Sequence, residues 1–243
     1  MIFMERLDKI LSNLGGMTRS EARTQIKCGH VTVNGIIVKD FGFKINDSDE
    51  VISNGAKINT AKFRYFMLNK PKGFISSTEP EPGDESPNVI SLFKKEGIKD
   101  LFPVGRLDKD TTGLLIVTND GAFAHKLTAP GKHVDKTYYD LVKGLLDQKA
   151  VDDFKKGIEF KEFTSLPSKL VILETDKEKG ISKALVTLNE GKFHQVKRMF
   201  SKTGCEVTEL KRISIGKLRL DESLGYGEYR EFCPEEVFQP RML

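Results

Sequence analysis

The apolar positions of the first sixty residues follow helical spacing and then strand spacing. Leucine and isoleucine recur at helical intervals from Arg6 to Leu14, which predicts a short helix that Gly15 and Gly16 end. Further along, Val31–Val33 and Ile36–Val38 flank an Asn34–Gly35 turn and predict a hairpin. We therefore expect a small unit at residues 1–60, with a linker at about 53–64.

A second helix is predicted between these elements. Thr18 and Glu21 have the spacing of a capping box, in which each side chain satisfies a backbone amide of the first turn. Three cations of this helix are spaced by four and share one face: Arg19, Arg23 and Lys27. Such a row can follow a phosphate backbone, and it is equally typical of a solvated helix face.

From residue 65 onward the pattern changes to strands separated by helices. Strands are predicted at 65–68, 114–117 and 136–142, and near residues 184–188, where every second residue is apolar. A helix is predicted to begin at Phe193. The proline-rich, acidic segment 76–87 is predicted to be a loop, either a surface connection or a mobile edge beside a substrate groove. Together these elements predict a second domain of strands and helices at residues 65–243.

Composition excludes several classes of protein. Of 243 residues, 38% are hydrophobic, which is enough for a packed core, and the formal net charge is only +4. No run approaches the roughly 18 apolar residues of a membrane span, and the first residues lack the order of a signal peptide. We therefore expect a cytoplasmic protein that makes no membrane contact.

The three cysteines, Cys28, Cys205 and Cys233, are too widely spaced for a disulfide framework or a zinc site. The chain also lacks a phosphate-binding P-loop and a dinucleotide-binding glycine fingerprint. Reduced thiols and no metal are expected. A nucleotide-driven motor and an ordinary dehydrogenase are both disfavoured.

Positive charge is concentrated late in the chain. Residues 190–219 contain eight cations and three acids, an excess larger than that of the whole protein. Phe193, His194 and Phe200 are interleaved with these cations, an arrangement that suits a polyanion groove as well as a solvated face. A polar loop earlier in the chain holds two candidate carboxylates, Asp108 and Asp110. Their spacing alone does not choose between them, and either could simply cap backbone amides.

The first module resembles a known RNA-binding family. The paired helices, the run Thr-Arg-Ser-Glu-Ala-Arg and the later Gly-His-Val-Thr-Val-Asn-Gly are similar to the S4 domain over residues 4–50. The larger domain carries Gly-Arg-Leu-Asp, Asp-Thr-Thr-Gly-Leu, Lys-Thr-Tyr and Glu-Gly-Lys-Phe-His-Gln-Val-Lys-Arg-Met. In this order, behind an S4-like module, these motifs resemble the RsuA-type ribosomal RNA pseudouridine synthases.

The resemblance implies an α+β catalytic domain with a mixed, largely antiparallel sheet and flanking helices, and it implies roles for five residues. Asp108 would be the catalytic aspartate and Lys197 its ionic partner. Tyr138 would lie against the uracil ring, whereas Tyr139 points away. Arg106 would help to displace the target base, and Leu210 would pack near it. Further RNA contacts would come from His194 and Arg198, and from the helix cations Arg19, Arg23 and Lys27.

The implied reaction converts uridine into pseudouridine, which is an isomer, so no cofactor is expected. The motifs favour the 16S RNA of the small subunit, with 23S RNA as the alternative within the family. The expected partner is ribosomal RNA, within a small-subunit assembly particle, with no obligatory protein partner; a monomer is expected. A non-catalytic S4-type RNA-binding protein is the alternative of another class. It would leave Asp108, Tyr138 and Lys197 unexplained unless they are scattered in the fold.

Overall fold

The structure is a computed structural model that describes residues 4–46, 49–58, 60–61, 63–129 and 131–238. The chain divides into two compact units. The first comprises the residues up to Arg64 together with Leu92–Leu101, and the second comprises Tyr65–Ser91 together with the residues from Phe102 onward. The sequence-based boundary counts 92–101 in the larger domain. The structure groups this segment with the first unit, in which Arg64 Nη2 lies 3.9 Å from Glu96 Oε2.

The first unit packs two helices against small sheets. Its helices are α1 (Leu7–Leu14) and α2 (Arg19–Lys27). Its strands are β1 (Glu5–Arg6), β2 (Val31–Val33), β3 (Ile36–Ile37), β4 (Lys44–Ile45), β5 (Val51–Ser53) and β6 (Ala56–Ile58). A four-stranded sheet has the order β3-β2-β5-β6, and β1 pairs with β4. The predicted helices and first hairpin are confirmed, and Thr18 and Glu21 form both halves of the capping box.

One boundary differs from the prediction. The segment 53–58 is predicted as linker, yet β5 and β6 pair across the Asn54–Gly55 turn and complete the four-stranded sheet. The turn was visible in the sequence, but β6 is too short and polar to show strand alternation. The core of this unit is buried apolar side chains from both helices and from β2, β4 and β5.

The second unit is built on a nine-stranded mixed sheet. Its strands are β7 (Tyr65–Lys70), β8 (Phe102–Pro103), β9 (Thr112–Thr118), β10 (Lys136–Lys143), β11 (Lys169–Asp176), β12 (Ile181–Leu188), β13 (Glu206–Ile215), β14 (Leu218–Arg219) and β15 (Tyr229–Glu231). The main path runs β11-β12-β10-β13-β9-β7-β15. Pairing between β13 and β9 is parallel and every other pairing is antiparallel. The predicted α+β class with a mixed, largely antiparallel sheet is confirmed.

Three α-helices accompany this sheet: α3 (Gly121–Thr128), α4 (Gln148–Lys156) and α5 (Gln195–Lys202). Short 3-10 helices occur at Val89–Glu96 and Pro234–Val237. Helix α5 begins two residues later than predicted, because His194 adopts a left-handed conformation with φ 49° as its N-cap. In the described part of the chain, no helix is both long and apolar enough to cross a bilayer.

Candidate active site

The polar loop 104–111 joins β8 to β9, and hydrogen bonds fix its course. Ser76 Oγ donates to Leu107 O at 2.9 Å and accepts from Leu107 N at 3.0 Å. Thr111 N donates to Asp108 O at 3.0 Å and closes a turn. The backbone of the loop is thereby held, while the side chain of Asp108 stays 28% exposed at its surface.

A buried lysine supports the same loop from beneath. Lys70, the last residue of β7, is fully buried, and its Nζ donates to the carbonyl oxygens of Asp108 at 3.1 Å, Lys109 at 3.4 Å and Thr111 at 2.9 Å. Burial lowers the pKa of Lys70 to about 8, against the opposing effect of the nearby carboxylates. Lys70 therefore acts as a positioning residue for the loop that carries Asp108.

Helix α5, which is distant from the loop in sequence, places a lysine beside the two carboxylates of the loop. Lys197 Nζ lies 3.1 Å from Asp108 Oδ2 and 2.6 Å from Asp110 Oδ1. Burial alone would lower the pKa of Lys197, but the two carboxylates outweigh it and raise the pKa above its usual value. His194 Nε2 approaches Asp108 Oδ1 at 3.6 Å. We call Asp108, Asp110, His194 and Lys197 the catalytic cluster.

A cavity of about 550 Å³ opens beside Asp108. Five of the residues singled out in the sequence line it: Arg106, Asp108, Tyr138, His194 and Leu210. Tyr138 and Leu210 come from the adjacent strands β10 and β13, and each is only 8% exposed. The cavity thus has a carboxylate at one wall and an aromatic ring and an aliphatic side chain at others, which suits a planar base attached to a sugar.

The cavity also distinguishes between neighbouring candidates, of which spacing left Asp108 and Asp110 open. Asp108 lines it, whereas Asp110 is absent from its lining and its side chain is 56% exposed. Tyr138 lines it and Tyr139 does not. Only one carboxylate of the pair and one ring of the pair can therefore touch a molecule bound in this cavity.

The loop that carries His194 is organised by a buried glutamine. Gln195 is 4% exposed; its side-chain oxygen accepts from Lys192 N at 2.9 Å, and its amide donates to Glu190. This holds the segment between β12 and α5 so that Phe193 and His194 stack with ring centroids 3.8 Å apart. Phe193 is 77% exposed, although it also lines the cavity, so an aromatic face is presented to solvent at the rim.

The acidic loop at 76–87 reaches the same rim. Arg106 Nη2 lies 2.8 Å from Glu81 Oε1, and Lys109 Nζ lies 3.2 Å from Asp84 Oδ1. Both acids line the cavity. Of the two interpretations of this loop, the structure favours the edge of a groove, because its carboxylates contact the loop of Asp108 directly. These exposed ion pairs are weak, so they can exchange for other anions.

Not every candidate residue joins this site. Arg198, although on α5, is outside the cavity lining; it pairs with Glu162 at 2.7 Å and lies 4.6 Å above the ring of Phe160. Arg19, Arg23 and Lys27 belong to the first unit and form a site of their own there.

Four cations of the first unit surround one carboxylate and one ring. Asp8 has no exposed side-chain surface and accepts from Arg6 and Arg23, each at 3.0 Å, with Arg19 at 3.6 Å. Burial alone would raise the pKa of Asp8, but these hydrogen bonds outweigh it and hold the pKa at about 2. Arg6, Arg23 and Lys27 also lie 5.0–5.8 Å from the ring of Phe41. We call these four cations, with Asp8 and Phe41, the helix cluster.

Sequence reasoning missed Lys70 and the cavity role of Phe193. Lys70 stands at the end of an apolar strand before a proline, where it gave no sign of binding a loop 38 to 41 residues away. Among the described residues, no group of three or more His, Cys, Asp or Glu side chains could hold a metal ion.

Comparison with protein families adds two matches. A model described as RNA pseudouridylate synthase matches residues 64–202, and a model of the S4 domain matches residues 5–51. The first match covers more than half of the chain and contains Asp108, Tyr138 and Lys197.

Similar proteins match over nearly the full length. The chain is 40% identical to the ribosomal large subunit pseudouridine synthase B of Bacillus subtilis, over 99% of this chain and 97% of that protein. It is also 40% identical to the ribosomal small subunit pseudouridine synthase A of Vibrio cholerae, over 96% and 97%. A crystal structure of a pseudouridylate synthase superposes with a TM-score of 0.65 at 36% identity, covering 96% of this chain and 97% of that one. The chain therefore belongs to the RNA pseudouridylate synthase family, whose members are isomerases, and carries the S4 domain at its N-terminal end.

Proposed function

We propose that this protein converts a uridine of ribosomal RNA into pseudouridine, with Asp108 as the catalytic residue. The observation that carries the proposal is the cavity in which Asp108, Tyr138 and Leu210 meet while Lys197 holds the carboxylate from the side. A binding protein without activity has no need for this convergence. The alternative of a non-catalytic S4-type protein is therefore disfavoured.

The reaction breaks the bond between N1 of uracil and C1′ of ribose and forms a bond from C5 to C1′. The proton on C5 is released and N1 takes up a proton, so the product is an isomer of uridine. The Asp108 carboxylate can attack the sugar or the base, or take a proton from the ribose. Lys197 aims it through the 3.1 Å contact. Tyr138 holds the detached uracil by stacking, so that the base turns without leaving, and Leu210 packs beside it.

The target base must leave its stack before it can reach Asp108. Arg106 is placed to help, since its side chain is 72% exposed at the mouth of the cavity and its Glu81 partner is a surface carboxylate. An arginine that enters the RNA in place of the base offsets part of the cost of unstacking. His194 at the N-cap of α5 and Arg198 on that helix would meet RNA phosphates.

The S4 domain, which we assign to residues 1–60, would supply the remaining RNA contacts. The helix cluster holds three arginines against one buried carboxylate and adds Lys27 over the ring of Phe41, and Arg19 and Arg23 keep about half of their side-chain surface exposed. Positive charge left over after Asp8 is neutralised is available to phosphates. Arg19, Arg23 and Lys27 would fix the position of the RNA and leave the choice of base to the larger domain.

We propose 16S RNA within a small-subunit particle as the target, on the run Tyr-Phe-Met-Leu-Asn-Lys-Pro and the Asp-Thr-Thr-Gly-Leu and Lys-Thr-Tyr motifs. The large-subunit relative from Bacillus subtilis is as similar as the small-subunit relative from Vibrio cholerae. 23S RNA is therefore the second substrate to test.

The test measures tritium release from RNA labelled at uridine C5. Wild type and Asp108→Asn are compared on partly assembled small-subunit particles and on 23S RNA. We expect release by wild type from the 16S substrate only, and none by the variant, which still binds RNA. Tritium release from 23S RNA alone would make 23S RNA the substrate in place of 16S RNA. Release by Asp108→Asn at the wild-type rate would remove Asp108 from the mechanism.

A further inference from the structure

A second cavity, of about 440 Å³, lies beside the catalytic one. The two share Arg106, Tyr138 and Lys192 in their linings. The second cavity adds Lys136 from β10 and Arg212 from β13, so its walls are rich in cations. None of the roles assigned above uses Lys136, Lys192 or Arg212.

Arg212 is a buried charge with an incomplete set of partners. It is 3% exposed, and its Nε donates to Leu114 O at 2.7 Å. Its Nη2 is buried and has no hydrogen-bond partner among the described residues, which contain no carboxylate paired with this side chain. Since a buried guanidinium without a counter-ion is costly, a position of this kind indicates a ligand that supplies negative charge.

Lys136 adds a second charge to the same cavity. Its Nζ donates to the carbonyl oxygen of Val134 at 3.0 Å. Burial lowers the pKa of Lys136, and the charge of Arg212 lowers it further, against the opposing effect of the exposed Asp135. The two cations therefore repel each other within the same partly desolvated cavity.

The acid that lines the cavity does not neutralise these charges. Glu190 is the acidic residue of the described lining, and its Oε1 already accepts from Leu166 N at 2.8 Å and from the side-chain amide of Gln195. Its carboxylate holds the loop before α5. The cavity thus keeps an excess of positive charge for a molecule from outside.

We propose that this cavity binds a phosphate group of the RNA backbone next to the nucleotide whose base contacts Tyr138. The inference rests on the proposed function and deepens it. Tyr138 lies opposite Arg212 in the register of β10 and β13, so a base at Tyr138 and a phosphate at Arg212 belong to neighbouring positions of one strand. Phosphate oxygens accept several charge-assisted hydrogen bonds, which Arg212 and Lys136 can supply together.

The site would serve catalysis by fixing the strand on one side of the flipped nucleotide. A backbone phosphate held beside Tyr138 positions the ribose that follows it, and the ribose carries the bond that breaks. The same chemistry would also accept free inorganic phosphate, so the experiment needs one arm for each source.

The variant for this test is Lys136→Met, which removes the charge at nearly constant volume, and the matched control is Lys143→Met, an exposed lysine at the other end of β10. The RNA is one on which wild type releases tritium, prepared with a single uncharged methylphosphonate linkage at each position around the target. For wild type, we expect one linkage next to the target to raise KM about tenfold and to lower the slope of binding against salt by about one.

Lys136→Met should raise KM about tenfold on unmodified RNA. For this variant, the uncharged linkage next to the target should raise KM no further, whereas Lys143→Met should behave as wild type. The inference would be overturned if, at every linkage, the KM increase caused by Lys136→Met simply added to that caused by the methylphosphonate. In the second arm, phosphorus NMR follows inorganic phosphate without RNA. Phosphate bound by wild type but not by Lys136→Met supports an anion site. Such binding without coupling to any linkage would overturn the assignment to RNA.

This design separates the two proposals. If wild type releases no tritium from either ribosomal RNA, the proposed function fails, and the inorganic phosphate arm still reports on the cavity. If wild type is active and Lys136 is coupled to no linkage, the function stands and the phosphate site fails.

Discussion

The helix cluster and the catalytic cluster both combine cations with carboxylates, but they differ in which charge is in excess. In the helix cluster, three arginines surround the carboxylate of Asp8 and Lys27 lies over the ring of Phe41, so positive charge is in excess. In the catalytic cluster, one lysine, Lys197, faces the two carboxylates Asp108 and Asp110. An excess of positive charge, as in the first arrangement, attracts a polyanion. In the second arrangement the lysine holds the Asp108 carboxylate in place.

The two clusters also differ in how the chain builds them. The helix cluster takes most of its cations from one helix, at a spacing of four. The catalytic cluster joins residues 87 positions apart, from the loop before β9 and from α5. A local cluster tolerates the loss of one member, whereas a cluster assembled from distant elements loses its geometry when its central cation is removed.

Removing Lys197 should give the largest effect. Lys197→Met leaves Asp108 and Asp110 as neighbouring carboxylates with no lysine between them, and we expect kcat to fall by about 10² or more. Lys197→Arg should restore part of it. Asp110→Asn is the control, since Asp110 lies outside the cavity lining, and its kcat should stay within about threefold of wild type. Equal losses in Lys197→Met and Asp110→Asn would erase the distinction between the two carboxylates. Single-turnover tritium release measures all three.

Next in size is the loss of Lys70. Lys70→Met leaves three buried or half-buried carbonyl oxygens of the loop without their donor, so we expect the free energy of unfolding to fall by about 2 kcal/mol or more, together with kcat/KM. Denaturant unfolding and tritium release measure these two quantities. Lys72→Met, at an exposed lysine two residues away, should change stability by no more than about 0.5 kcal/mol. Unchanged activity in Lys70→Met would show that the loop keeps its course without this support.

A smaller effect should separate two cations of the helix cluster. Lys27→Gln and Arg23→Gln should each weaken RNA binding about threefold to tenfold and reduce the salt slope by about one. Only Arg23→Gln should also lower stability, because Asp8 then loses a hydrogen-bond donor. Filter binding at several salt concentrations and thermal unfolding distinguish the two losses. If both variants keep the affinity and the salt slope of wild type, this face is merely solvated.

The smallest effect should be the pH dependence of the first unit. The pKa of Asp8 is about 2 in the folded protein, below its unfolded value near 4. The carboxylate therefore stabilises the fold above pH 4, and this contribution disappears as the pH falls toward 2. Asp8→Asn should be less stable than wild type at neutral pH and should converge with it near pH 2. Far-UV circular dichroism follows this, since the chain has no tryptophan.

Local patterns predicted much of the fold. The capping box at Thr18, the first hairpin and the strand at β10 each depend on neighbouring residues, and each is confirmed. Strand β6 was not predicted, because it is too short and polar to show strand alternation. The grouping of 92–101 with the first unit was not predicted either, because it depends on packing against elements that are distant in sequence.

The candidate site could be predicted only through the resemblance. Spacing alone did not choose between Asp108 and Asp110, because the choice depends on which one faces a cavity formed with β10 and β13. Lys70 and Arg212 were not singled out for a related reason, and Lys136 appeared only as the first residue of the Lys-Thr-Tyr motif. In the sequence, a cation within an apolar strand looks like an ordinary break in the hydrophobic pattern. Only the structure shows which partners its side chain has or lacks.

The parallel pairing of β9 with β13 sets the order in which this enzyme can become functional. Lys211 and Arg212 pair with Thr112 and Gly113, about two fifths of the chain away, and β13 supplies Leu210 to the cavity. Pairing of such distant segments is slow and comes after local structure. During synthesis, the first unit can fold while the ribosome is still making β10, but the catalytic cavity cannot close until β13 has emerged. A growing chain can therefore hold RNA before it can modify it.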